Sequence, residues 1–141
     1  MLAPSTLQLA ALTLNTLSDQ IYFANVKAGW YKDPKTGRTF KQRNIMEMLM
    51  LATTEIAEAA EGWRKDLKDD HLPQHMMLTV EVADTLIRLL DTMGYIRNNP
   101  DKFPEYAGLD LGQAFVDKIV YNGSRADHKI EHRNQAGGKK C

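Results

Sequence analysis

The chain has 141 residues, with 18 basic and 18 acidic side chains, a formal net charge of zero and a single cysteine, Cys141. That length suits one domain with its own hydrophobic core. The balanced charge offers no overall field for nucleic acid or anionic lipid, and a lone cysteine excludes an intrachain disulfide framework. No apolar run approaches the roughly 20 residues needed to cross a bilayer, and no signal-peptide pattern opens the chain, so a cytoplasmic location and no membrane partner are expected.

Pro4-Ser5-Thr6 offers a helix start, and Leu9, Leu12, Leu14, Leu17, Ile21 and Val26 recur at mostly helical spacing over residues 7 to about 28, where Gly29 ends the run. Asn15, Asp19 and Gln20 are polar positions on this helix, open to a ligand or to water. Residues 30–43 read as a loop, with turn signals at Asp33-Pro34 and Thr36-Gly37. Its aromatics Trp30, Tyr31 and Phe40 lie among Lys32, Lys35, Arg38, Lys41 and Arg43. Such a mixture suits stacking on a base beside phosphates, or, on the plainer reading, hydrophobic anchors that pin the loop.

Asn44 is placed to cap a second helix that runs to about Lys65 or Lys68, with Gly62 its weak point. Trp63, near that end, either lines a pocket with the preceding glutamates or packs. Residues 68–71 form a polar turn. Pro73 suits the first turn of a third helix that reaches about Arg97 and is broken by Asn98-Asn99-Pro100-Asp101. His71 and His75 lack the Glu-x-x-His spacing of di-iron bundles and read as surface residues. Asp110 can cap a short fourth helix from Leu111 to about Tyr121. The expected architecture is all-α, a bundle of about four main helices in one domain over residues 1–125, followed by a polar, irregular tail over 126–141.

The chemistry concentrates between residues 53 and 91. Glu55, Glu58 and Glu61 fall three apart in one apolar run, and Glu81 and Asp84 three apart in another. Residues three or four apart share a helix face, so two antiparallel helices would bring four acids toward one another. Their repulsion, and the cost of burying any of them, asks for a cation, and a divalent metal answers both. The solvated alternative is strongest on the third helix. At about 100° per residue, Glu81, Asp84, Arg88 and Asp91 form one polar stripe opposite Val82, Leu86, Leu89, Leu90 and Met93, which alone favours a solvent-facing polar side. On the second helix, Glu55 and Glu58 share a side with Met48 and Leu51, while Met46, Leu49, Met50, Ala57 and Ala60 fill the other. A helix apolar nearly all round is usually buried, so its glutamates need a partner. Spacing alone leaves a metal or catalytic role and a plain surface role equally open.

In order, Glu55-Ile56-Ala57-Glu58, a gap of 22 residues and Glu81-Val82-Ala83-Asp84 resemble the MazG-like nucleotide pyrophosphohydrolases of the all-α NTP pyrophosphatase superfamily. The run of residues 54–61 is similar to the family's Glu-rich helix, and residues 81–90 to its second motif. Lys118, Asn122 and Arg125 match its Lys-x-x-x-Asn-x-x-Arg pattern. The resemblance implies Mg²⁺-dependent hydrolysis, with Mn²⁺ as substitute, between the α- and β-phosphates of a nucleoside or deoxynucleoside triphosphate. It makes Glu55, Glu58, Glu81 and Asp84 the metal ligands, lets Glu61 position a ligand or water, and puts Lys118, Asn122 and Arg125 on phosphate or sugar. Asn15, Trp30 and Trp63 are further substrate-binding candidates.

A single copy of the motif set implies a homodimer or homotetramer that completes the bundle. Residues 125–133 with Gly137-Gly138-Lys139 look like small phage-type members, which implies a lean toward dGTP or dATP and a host cytoplasm if phage-encoded. The rivals are a dCTP or dUTP pyrophosphatase, a phosphoribosyl-ATP pyrophosphatase, and a non-catalytic helical interaction module whose acids are solvated. No Gly-x-x-x-x-Gly-Lys-Ser/Thr loop suggests a P-loop enzyme. Hard Mg²⁺ prefers oxygen ligands shared with phosphates, which fits the acids independently of the likeness.

Overall fold

The computed structural model describes residues 2–125 and 129–133. Among them the protein is all-α, with helices α1 (Pro4–Ala28), α2 (Ile45–Arg64), α3 (Met77–Arg97) and α4 (Leu111–Ser124). A 3₁₀ turn at Pro104–Tyr106 and one helical turn at Ile130–Arg133 complete the secondary structure, and the only extended pairings among the described residues are the isolated bridges Lys32–Thr39 and Lys68–Met76. Among the described residues no helix is long and apolar enough to cross a membrane.

Two compact units divide the chain. Thr16–Leu109 is one of them. Its core is an aromatic cluster of Tyr31, Tyr95 and Phe103 with Met48 and Ile96, flanked by Tyr22, Ile45 and Leu109. Tyr22 meets Tyr31 edge-on at 5.2 Å between ring centroids, and Phe103 meets Tyr95 edge-on at 5.4 Å, the geometry that ring quadrupoles favour. Gly94 lets α3 lie directly on α1, because a Cβ there would overlap the Ser18 carbonyl oxygen. Ser18 in turn donates its buried hydroxyl to the Leu90 carbonyl at 2.7 Å. That close approach explains a glycine inside a helix, where it costs about 1 kcal/mol relative to alanine.

The loop over residues 30–43 is anchored through Tyr31, as the plainer reading expects, but not through Trp30, which is exposed. Tyr31 is buried in the aromatic core, and the Arg43 amide donates to Tyr95 Oη at 2.9 Å. Asn44 caps α2 by accepting from the Met46 amide at 3.0 Å. The third helix begins at Met77 rather than at Pro73. Asp69 accepts from the His71 and Leu72 amides, and the Met77 amide donates to the Leu67 carbonyl at 3.0 Å. These bonds close residues 67–77 into a loop and leave Met76 extended (φ −73°, ψ 139°), so the backbone groups a longer helix would need are already engaged.

The other unit is made of Met1–Asn15 and Asp110–Cys141, in their described parts. Here Asn15 ties the start of α4 in place, donating to Asp110 Oδ1 at 2.8 Å and accepting from the Gly112 amide at 3.1 Å. Asp110 caps α4 through the Gln113 amide at 2.8 Å, and the helix continues past Tyr121 to Ser124. Of the expected irregular segment 126–141, residues 129–133 are described and include the helical turn Ile130–Arg133, and the remainder lies outside the described residues.

Candidate metal centre

Met48, Ala52, Glu55, Ala59 and Gly62 recur at three- and four-residue spacing as the buried face of α2. Small residues on that face let α3 approach closely, and a Cβ on Gly62 would press on Met77 at the start of α3. The carboxylate in the middle of the face is sealed between the helices: Glu55 is 6% exposed and Glu81, opposite on α3, 7%. Asp84 is half-buried beside them, and one carboxylate oxygen from each of Glu55, Glu81 and Asp84 lies within 4.8 Å of the other two.

This arrangement reverses the solvent-face reading of α3. Its polar stripe is turned toward α2, while Val82, Leu86 and Leu89 point outward. The reason is the facing surface: α2 presents Glu55 on a narrow face of small residues, and Arg88 reaches across from α3 to donate Nε to Glu55 Oε1 at 2.5 Å. On α2 the expectation of burial all round also fails within the chain, since Met46, Met50 and Ile56 are exposed.

Electrostatics follow from that crowding. Burial pushes Glu81 from the usual 4.5 up to about 7, helped by a hydrogen bond from its protonated form to Glu55 and by the charges of Glu58, Glu55 and Asp84. Glu58 is exposed and outside the close cluster, yet it lies near enough for its charge to act on Glu81. Glu61 is engaged within its own helix by Lys65 and by Arg64, whose Nη2 lies 2.6 Å away. Those two cations, Lys65 first, hold its carboxyl below the usual range. Three close carboxylates against one guanidinium leave excess negative charge, and every donor is a hard oxygen. The set fits a hard divalent cation.

A cavity of about 290 Å³ adjoins the cluster, lined among others by Asn25, Trp30, Arg43, Asp84, Arg88 and Asp91. Trp30 is 69% exposed, so its ring is presented at the rim rather than used as an anchor. Asp91 is half-buried and receives Tyr31 Oη at 3.0 Å. Burial raises its pKa, while hydrogen bonds from Tyr31 and Asn25 and the nearby charges of Arg43 and Arg88 oppose the rise. Burial and the adjacent Asp91 carboxylate together push the Tyr31 hydroxyl upward.

The chain matches no family model, no curated protein and no solved structure. Its chemistry is therefore read from its own side chains. Asn25, Arg88 and Asp91 are lining residues that the sequence reading did not select. For two of them the signal was present, because Arg88 and Asp91 follow Asp84 at i+4 and i+7 on one helix face. Asn25 offers no such signal, since only the packing of α1 brings it there, whereas Arg43 belongs to the basic, aromatic loop already noted in the sequence.

The remaining candidates are placed elsewhere. Trp63 is 71% exposed at the end of α2 and does not line the 290 Å³ cavity. Asn15, Lys118, Asn122 and Arg125 belong to the other unit. Both polar ends of the Asn15 amide are engaged at the start of α4. Lys118 Nζ sits 5.0 Å from the centre of the Tyr121 ring and the Arg125 guanidinium 5.6 Å from it. Asn122 Oδ1 is buried with no hydrogen-bond partner among the described residues.

Proposed function

We propose that the protein is a Mg²⁺-dependent pyrophosphohydrolase of the MazG-like kind, acting in the cytoplasm on a nucleoside or deoxynucleoside triphosphate to release the monophosphate and pyrophosphate. The observation that supports this most is the meeting of Glu55, Glu81 and Asp84 oxygens within 4.8 Å, two of those residues being buried. Acids placed this way cost stability unless a cation offsets them. Glu55, Glu81 and Asp84 would hold Mg²⁺ or Mn²⁺, with Glu58 beside them. The ion, when bound, supplies Lewis acidity and neutralises phosphate charge.

The chain's own residues do the rest. Glu81 would have to give up its proton to act as a ligand, so cation binding should tighten as pH rises toward 7 and above. Arg88 lines the adjoining cavity and brings positive charge to a triphosphate, and Trp30 offers a ring face at its rim. The likeness to the MazG-like family gives Lys118, Asn122 and Arg125 a role on phosphate or sugar. A second copy of the chain belongs to the proposal, supported by the outward apolar residues Met46, Met50 and Ile56 on α2 and Val82, Leu86 and Leu89 on α3.

The test is pyrophosphate release by the purified full chain with Mg²⁺, using the ribo- and deoxynucleoside triphosphates and phosphoribosyl-ATP. Release from a nucleoside triphosphate that disappears in Glu81→Gln, with helicity retained, is the expected result. No release from any substrate removes the proposal, and release from phosphoribosyl-ATP alone moves the enzyme to that sibling activity. The second reading, a non-catalytic helical module, draws on the Arg88–Glu55 ion pair, which already gives one acid an internal cation. It requires a melting temperature indifferent to Mg²⁺.

A further inference from the structure

The cavity beside the acidic cluster is lined by Asp84, a member of that cluster, and by Asp91, seven residues further along the same face of α3. At 1.5 Å rise per residue the two lie about 10 Å apart along the helix. That is the order of the length of a nucleoside from its 5′ oxygen to the far edge of its base. Met48, Leu51 and Ile87 make the apolar part of the wall, and Asp91 in it is half-buried.

Asp91 is tethered by Tyr31, which donates Oη to its Oδ1 at 3.0 Å, and Asn25 lines the same cavity. Among the described residues Asp91 has no ion pair. Arg88 is paired with Glu55, and Arg43 donates Nη1 to the Trp30 carbonyl at 2.8 Å. A tethered, half-buried acceptor in a cavity of mixed polar and apolar wall selects for ligands that bring hydrogen-bond donors.

We infer that Asp91 reads the base of the substrate and selects guanine, its carboxylate accepting the N1 hydrogen and the 2-amino group side by side. This rests on the pyrophosphohydrolase reading of the same site. Guanine is the common base that sets two adjacent donors on one edge, the match a carboxylate makes in bidentate fashion. Adenine and cytosine set a lone-pair nitrogen beside their amino group, and thymine flanks its single N–H with two carbonyls, so each would turn an acceptor toward Asp91. Asn25 and Arg43, in the same wall, supply donors for the guanine 6-oxygen. One good bidentate pair discriminates by roughly tenfold to a hundredfold.

The deciding measurement is kcat/KM for pyrophosphate release by the full chain with Mg²⁺ from dGTP, dITP, dATP, dCTP and dTTP, with calorimetric affinities for dGMP and dIMP. Inosine lacks only the 2-amino group of guanine. The expected result is dGTP ahead of dITP and of dATP by about tenfold or more, the same order for dGMP over dIMP, and a dGTP to dITP ratio near one in Asp91→Asn. Equal use of dGTP and dITP by the unmodified protein, or a preference that survives Asp91→Asn, overturns the inference. If Asp91→Asn does not fold, the dGTP to dITP ratio and the dGMP to dIMP affinity ratio of the unmodified chain decide it. Hydrolysis without guanine preference sinks the base assignment and leaves the enzyme reading standing, whereas no hydrolysis of any nucleotide sinks both.

Discussion

The two halves of α3 are built on opposite rules. Its C-terminal half buries Leu90, Thr92, Gly94, Tyr95 and Ile96, and there polar groups are either absent or bonded, as with the Thr92 hydroxyl donating to the Arg88 carbonyl at 2.9 Å. Its N-terminal half buries Glu81 among other acids and turns Val82, Leu86 and Leu89 outward. Hydrophobic burial accounts for the first half and not for the second. The difference separates the part of the helix that holds the fold together from the part whose arrangement costs stability without a ligand, and such inverted segments are where chemistry is to be sought.

Breaking the stabilising half should give the largest effect. Tyr95→Ala removes a side chain packed against Tyr22, Tyr31 and Phe103 and deletes the acceptor for the Arg43 amide, so a loss of about 3–5 kcal/mol is expected in a denaturant titration. Gly94→Ala comes next. Its Cβ would collide with backbone of α1, which does not yield as a flexible side chain does, and a loss of about 2–3 kcal/mol should appear in the same titration.

At the other end of the helix the sign should invert. Glu81→Gln neutralises a buried acid in a repelling cluster, so at pH 8 without metal the variant should be more stable than the parent by about 1 kcal/mol. It should also lose the rise in melting temperature that Mg²⁺ gives the parent. A variant less stable than the parent at that pH would mean that Glu81 is a structural acceptor, not a strained ligand.

Titration sharpens the same contrast. Glu81 has its folded-state pKa raised from 4.5 to about 7, so the folded state holds the proton more tightly than the unfolded chain. Its contribution to stability is full below about 4.5 and is lost as pH rises through about 7. The metal-free parent should therefore melt progressively lower across that window, while Glu81→Gln shows a flatter profile and Mg²⁺ restores the parent at the alkaline end. The smallest effect on folding is expected at the outward face. Leu86→Glu should leave stability within about 0.5 kcal/mol yet shift the protein to monomer in sedimentation, if that face joins two copies.

Much of the architecture was legible in residue order. Leucine spacing on α1, the Asn44 and Asp110 caps and the Asn98-Asn99-Pro100 break mark helices whose termini agree with the structure to within a few residues. The start of α3 was not legible, because the Asp69 turn and the Leu67–Met77 hydrogen bond depend on the chain folding back on itself. Within the site, the i, i+3 spacing of Glu81 and Asp84 put two acids on one face, but which way that face pointed was open. A polar stripe opposite an apolar stripe reads identically whether the core lies under one or the other.

The linear order of residues determined the helical periods, the caps and the grouping of acids, since these depend on neighbours within one or two turns. Tertiary packing alone decided that Glu55 meets Glu81 and Asp84, that Arg88 crosses to Glu55, and that Tyr31 holds Asp91. Direction of burial is a property of the surface a helix lies against, and that surface is brought up by residues far away in the chain.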